Sequence, residues 1–223
     1  MEKQITNGLP GLKEMEDREI VDLINLENRP AFNELYRRYV KLLTYYGLGL
    51  TKDIQVIEDC LHDLFLWVWT KRGTLLIEHS IKSYLFKSLR TSIVHRLEKD
   101  HRLDLISEEE NELDRLSDLS FTVELSSFIQ EDEAAKRKNF NQLFKDLTAR
   151  QKELIYLRYK EEMSFEDMAV HFNISLKGCY KLMARAIASL REAGKGKREN
   201  FMVLLFISRL NAIPDKQTSI KLN

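Results

Sequence analysis

The chain has 223 residues, 43% apolar and 31% charged, and its 35 basic and 35 acidic side chains balance to zero net charge. That composition is ordinary for a soluble globular protein and leaves room for one large domain or two small ones. The longest apolar run, FMVLLFI at 201–207, is far short of the ~20 residues of a membrane span, and the N-terminus has no basic stretch followed by an apolar run as a secretory signal would.

The zero balance conceals a strong asymmetry. Residues 1–103 carry a net +1, residues 104–133 a net −10 and residues 134–223 a net +9. Two blocks of different charge on either side of an acidic stretch predict two domains joined by a linker, and a basic C-terminal block predicts a polyanionic partner. Strand-like alternation is rare and helical spacing common, so the expected fold is all-α. Cys60 and Cys179 lie far apart inside helical patterns. They form neither a disulfide framework nor a metal-ligand spacing, and are read as buried thiols in a reducing cytoplasm.

In chain order, REIVDLINL reads as a short amphipathic helix. Asn28 and Pro30 then supply a cap and an early-turn proline. Phe32, Leu35, Tyr36 and Tyr39 follow at helical spacing, continued by Leu42 and Leu43, and the glycines of YYGLGLT are expected to break that helix. A helix is predicted from about Asp53 to Arg72, ended by Gly73. Ile57, Cys60, Leu61, Leu64 and Val68 make its core stripe, while Phe65, Leu66, Trp67 and Trp69 carry apolar surface far round it. So wide an apolar surface implies deep burial or a second docking face. Another helix begins near Ser80, in a stretch (71–103) with a net charge of +5. Residues 104–133 read as loop or linker.

The third block is well punctuated. Phe140, Leu143, Phe144 and Leu147 make a stripe. Thr148 and Gln151 form a T-x-x-Q capping box, and Ser164 with Asp167 a near-box with Met163 and Met168 as a staple. Asn173 interrupts, Ser175 caps again, and the last helix follows. In it Leu176, Cys179, Met183, Ala186 and Leu190 fall on one side. Lys177, Lys181 and Arg185 fall nearly opposite, with the short Ala184 and Ala188 between them. Two helices joined by only Asn-Ile-Ser have the layout of a helix-turn-helix, whose second helix enters the major groove N-terminus first. Ser175, Lys177 and Gly178 then stand at the entering end, where Gly178 lets backbone approach phosphate.

The segment LTARQKELIYLRYKEEMSFEDMAVHFNISLKGCYKLMARAIASLRE resembles the −35-binding domain of bacterial sigma factors. AFNELYRRYVKLLTYYGLGL followed by IEDCLHDLFLWVWTKR resembles the core of their first helical domain. SIKSYLFKSLRTSIVHRLEKDHR is similar to the segment that recognises the −10 element. The resemblance spans roughly residues 15–193. It points to the sigma-70 family and its two-domain extracytoplasmic-function (ECF) group, in a form similar to the Bacteroidetes, iron-citrate-regulator-like members.

That resemblance implies a division into residues 15–103 for −10 and polymerase-clamp binding, 104–133 as acidic linker, 134–194 as the −35-binding helix-turn-helix domain, and 195–223 as a tail. ENFMVLLFISRL, in the tail, is expected to pack on the DNA-binding domain. The resemblance also implies roles. Glu58, Asp59, His62, Asp63, Phe65, Leu66 and Trp67 would meet the β′ clamp helices of core RNA polymerase. Glu78, His79, Ser80, Lys82, Ser83 and Tyr84 would wall a pocket for an extruded −10 base, whose unstacking costs a few kcal/mol. Lys87, Arg90, Arg96 and Lys99 would contact phosphates. Ser175, Lys177, Gly178, Tyr180, Lys181 and Arg185 would face the −35 element, and the linker would thread positively charged polymerase channels. The implied partners are core polymerase, through the clamp and the β flap, promoter DNA and a membrane-bound anti-sigma factor. No cofactor, no membrane insertion and no catalysis are implied, and the implied location is the cytoplasm.

Other classes fit less well. A stand-alone helix-turn-helix regulator of the response-regulator type needs glycine-punctuated buried strands, which residues 1–103 lack. Glu58 and His62 are one helical turn apart, but the chain has no H-E-x-x-H, Gly-rich phosphate loop or nucleophile elbow of an enzyme. An adaptor protein would not need the cations Lys177, Lys181 and Arg185.

Overall fold

A computed structural model describes residues 11–75, 80–100 and 144–193. The described residues are all-α: α1 (Asp17–Asn25), α2 (Arg29–Leu50), α3 (Ile54–Thr70), α4 (Ile81–Asp100), α5 (Ala149–Tyr159), α6 (Phe165–His171) and α7 (Leu176–Ala193). The linker at 104–133, Phe140, Leu143, Glu78, His79 and the tail at 195–223 lie outside them.

Local chemistry sets the helix ends. The Glu16 N–H donates to Glu19 Oε2 at 2.8 Å at the start of α1. Asn28 Oδ1 accepts from the Ala31 N–H at 3.0 Å and Asp53 Oδ1 from the Val56 N–H at 3.2 Å, capping α2 and α3. Gly73, at φ +86°, closes the turn after α3 in a backbone region that favours glycine.

The expected break at YYGLGLT does not occur, because α2 continues through Gly47 and Gly49 to Leu50. Packing explains the glycine: a Cβ on Gly47 would lie 2.8 Å from Ile57 Cγ2. The missing side chain lets α3 approach the end of α2.

The four N-terminal helices pack as one group, with α2 and α4 each touching α1 and α3, and α5, α6 and α7 form a second. The two groups meet where α4 lies against α6, and their buried apolar residues form one continuous cluster. In α5 the run Leu154, Ile155, Tyr156, Leu157 is buried on every side. A helix with no wet face needs neighbours all round. Here α6 and α7 cover part of it, and Tyr46 of α2, whose ring centroid lies 6.1 Å from that of Tyr156, covers more.

Candidate nucleic-acid interface

The C-terminal group is built by caps and a tight turn. Thr148 and Gln151 form the reciprocal box expected of them, with the Thr148 N–H donating to Gln151 Oε1 at 2.9 Å and the Gln151 N–H to Thr148 Oγ1 at 3.3 Å. Ser164 Oγ accepts from the Asp167 N–H at 3.0 Å to start α6. Asn173 then turns the chain at φ +52°, and Ser175 Oγ accepts from the Gly178 N–H at 3.0 Å to start α7. A side chain on Gly178 would put a Cβ 3.2 Å from that Ser175 oxygen, so glycine keeps the cap close. Arg150 steadies the turn by donating to the Phe172 carbonyl at 3.0 Å. Phe165 of α6 lies 4.3 Å from the Tyr180 ring of α7, with the Arg158 guanidinium 4.8 Å from the Phe165 centroid.

On α7, Cys179, Met183, Ala186 and Leu190 are buried, as their spacing predicts. Burial first, then the nearby Glu166 carboxylate, pushes the Cys179 thiol up to about 11, so it stays protonated near neutral pH. Leu176, expected in the same stripe, is 39% exposed instead. Ser175, Lys177, Tyr180, Lys181, Ala184, Arg185 and Ala188 are exposed and Gly178 is half-buried. The α7 residues proposed to face DNA therefore share one accessible cationic face.

The face of α4 differs. Ser80 caps it, with its Oγ accepting from the Ser83 N–H at 3.0 Å. The Asn25 side chain holds the approach to it, taking hydrogen bonds from the Gly73 and Leu75 N–H groups and donating to the Leu75 carbonyl. Lys87 is half-buried and Lys99 exposed. Arg96 reaches back to α3, donating to Asp59 at 3.2 Å and to Asp63 at 2.5 Å. Three residues assigned to the −10 element are taken up by the C-terminal group. Ser83 is buried, with its hydroxyl 3.4 Å from the Asp167 carbonyl. Lys82 Nζ lies 2.9 Å from Glu161 Oε2, and Arg90 Nε 3.0 Å from Glu153 Oε1.

Glu153 is fully buried and is the hub of this contact. Besides Arg90, Tyr46 donates its phenolic hydrogen to Oε1 at 2.5 Å, and His171 Nε2 stands 2.9 Å from the same oxygen. The network assigns the Nε2 hydrogen to that bond and leaves the buried Nδ1 without a protein partner. Burial alone would raise the Glu153 pKa. The hydrogen bond from His171 and the charge of Arg90 outweigh it and hold the carboxyl below the usual carboxylate range. Burial and the neighbouring Glu153 charge likewise push the Tyr46 phenol well up, so it remains a donor.

On α3, Glu58, Asp59, His62 and Asp63 are exposed, as are Leu66 and Trp67, at 54% and 41%. Phe65 is not available to a partner in this arrangement. It is 4% exposed, with its ring 4.8 Å from Tyr36 and 6.3 Å from Phe32. Trp67 stacks on Tyr84 of α4 at 5.4 Å, and Trp69 is half-buried beneath Arg72. Glu58 and His62 gain no further ligand: among the described residues no group of three or more His, Cys, Asp or Glu could hold a metal ion. No described helix is long and apolar enough to cross a membrane.

Sequence reasoning missed Tyr46, Glu153, Glu161 and His171. One signal was present, since a lone carboxylate beside the four-residue apolar run of a short helix is either exposed or buried with a partner.

Residues 137–190 match the family model described as Sigma-70, region 4. The region 4 segment takes in α5, α6 and nearly all of α7, and with them the whole cationic face. Across a larger span the chain is similar to the sigma factor RpoE from Bartonella quintana, solved in complex with the anti-sigma factor NepR. The identity is 19%, the match covers 75% of this chain and 98% of that chain, and the TM-score is 0.50. At that identity the likeness is one of fold. No curated protein matches the chain.

Proposed function

We propose that this chain is a transcription initiation factor of the ECF sigma type, which binds core RNA polymerase and directs it to promoters. The observation that carries the reading is the cationic face of Lys177, Lys181 and Arg185, exposed on the second helix of a helix-turn-helix within the region 4 match. Such a helix enters the major groove, where long cations reach phosphates and base edges past the short Ala184 and Ala188. The RpoE-like fold over three-quarters of the chain supports extending the reading to the N-terminal helices.

In this reading α3 docks on the polymerase clamp through Leu66 and Trp67, rimmed by Glu58, Asp59, His62 and Asp63. The α4 face, with the segment before it, takes the −10 strand. Residues 15–103 and 134–194 act as separate modules, 104–133 links them through polymerase channels, and the region 4 module also meets the β flap. The chain works without a cofactor and without catalysis of its own, in the cytoplasm where its polymerase is. By analogy with RpoE and NepR, an anti-sigma factor, here membrane-bound, holds it inactive. The finer placement among Bacteroidetes, iron-citrate-regulator-like members rests on the sequence resemblance alone.

Reconstituted transcription tests the reading. Core polymerase with this chain initiates at a subset of promoters in a library, and core polymerase alone does not. Transcription that never depends on the chain, or a chain that never associates with core polymerase, rejects it.

A further inference from the structure

One edge of the cationic face of α7 is apolar. Leu176 and Tyr180, one helical turn apart, are 39% and 44% exposed there, beside the exposed Lys177 and Lys181. The Tyr180 ring is held from behind. It packs on the Phe165 ring of α6, with the centroids 4.3 Å apart and 31° between the planes, and the Arg158 guanidinium of α5 lies 4.8 Å from the Phe165 centroid. Arg158 is buried and donates to the Met163 carbonyl at 2.9 Å, while Phe165 is the first residue of α6, set by the Ser164 cap. Three helices thus supply one layer each of a stack, and the exposed layer belongs to the helix read as meeting DNA.

The chemistry of the major groove says what such a ring can meet. Adenine, guanine and cytosine are told apart there by hydrogen-bond donors and acceptors, and thymine adds an apolar group, its C5 methyl. Lysines that reach phosphates fix the register and carry no sequence information. An aromatic ring already fixed before binding gives up little conformational freedom on contact.

We propose that Tyr180 is a sequence-reading residue that takes a thymine methyl in the −35 element, with Phe165 and Arg158 as positioning residues that hold its ring. The inference rests on the reading of α7 given above and adds to it which base this part of the helix selects. The cations beside Tyr180 supply attraction to any duplex, and the ring supplies a preference among duplexes.

The test uses the full chain with core polymerase, on a promoter that the pair selects from a library. Each thymine of the −35 element, in either strand, is replaced singly by deoxyuridine, which pairs alike and lacks only the methyl. Competition between the two templates measures the preference for thymine. At one position the parent prefers thymine by about three- to five-fold, the worth of burying one methyl group. Y180A loses that preference and binds both templates as the parent binds the deoxyuridine one. Y180F keeps it, because the ring and not the hydroxyl makes the contact. F165L leaves the salt dependence set by the lysines unchanged but reduces the preference, and F165Y restores it. The inference is overturned if no thymine shows the preference, or if Y180A retains it. It is also overturned if Y180A weakens association with core polymerase and leaves the preference intact, which makes the ring a protein contact. F165L discriminating as the parent does rejects the positioning role. Selective initiation that is blind to the methyl rejects this inference alone, whereas a chain that confers no promoter selection on core polymerase removes the initiation-factor reading and this inference with it.

Discussion

Arg90 of α4 and Glu153 of α5, 63 residues apart in sequence, form an ion pair at 3.0 Å in which the carboxylate is fully buried. Such a pair contributes little net stability compared with an apolar replacement, because both charges give up water. Losing one partner is another matter. Glu153→Ala leaves Arg90 uncompensated and is expected to cost about 3–5 kcal/mol, read as a drop in the urea midpoint. Replacing both, as R90M/E153L, removes the unpaired charge but is expected to restore only part of that loss, because Tyr46 and His171 still lose their buried acceptor.

The same carboxylate sets an acid limit. Its folded pKa lies below its unfolded value, which is about 4.3, so the folded state binds the proton less readily. The stabilisation is therefore complete above the unfolded pKa and disappears as pH falls through the folded one. Denaturant midpoints followed from neutral pH into acid should decline for the parent chain and decline less steeply for E153Q.

Gly47→Ala tests the close approach of α2 and α3. Alanine is a better helix former by about 1 kcal/mol, but its Cβ would stand 2.8 Å from the stiff, branched Ile57. Overpacking of that kind costs about 1–3 kcal/mol. The net expectation is a lower melting temperature, measured by circular dichroism.

For α7, each phosphate contact removed should lower the salt dependence of duplex binding by about one unit of slope. K181A and R185A are each expected to flatten the plot of log affinity against log salt, and the triple variant K177A/K181A/R185A more so. Fluorescence anisotropy on a −35 duplex measures it. An unchanged slope in the triple variant would remove α7 from the DNA interface.

Trp67→Ala separates docking from folding. The side chain is 41% exposed and its ring stacks on Tyr84. Thermal stability should change little, while the affinity for core polymerase falls clearly in a pull-down or by calorimetry.

Much of the chain was legible because its punctuation is local. Asn28, Asp53, Thr148, Ser164 and Ser175 each accept a backbone hydrogen bond within three residues, so the signal and the structure share one short window. The cationic face of α7 was legible for the same reason, since helical spacing fixes it. What could not be read depends on distant partners. Gly47 looks like a helix breaker until Ile57, ten positions on, is placed against it. Phe65 and Trp67 are equal candidates for a docking face by spacing, and only the aromatic rings of α2 decide that Phe65 is enclosed. Arg90 looks like any solvated helix cation, and its neutralisation by Glu153 is a long-range fact that no periodicity carries.

The stacking of Trp67 on Tyr84 has an optical consequence. The chain's two tryptophans sit in unlike surroundings, Trp67 half in water against a phenol of α4 and Trp69 beneath the Arg72 guanidinium. Their emission should differ in colour and in quenching by iodide. A partner that lands on α3 would then announce itself in the protein's own fluorescence, with no dye attached, through the shift of a single residue.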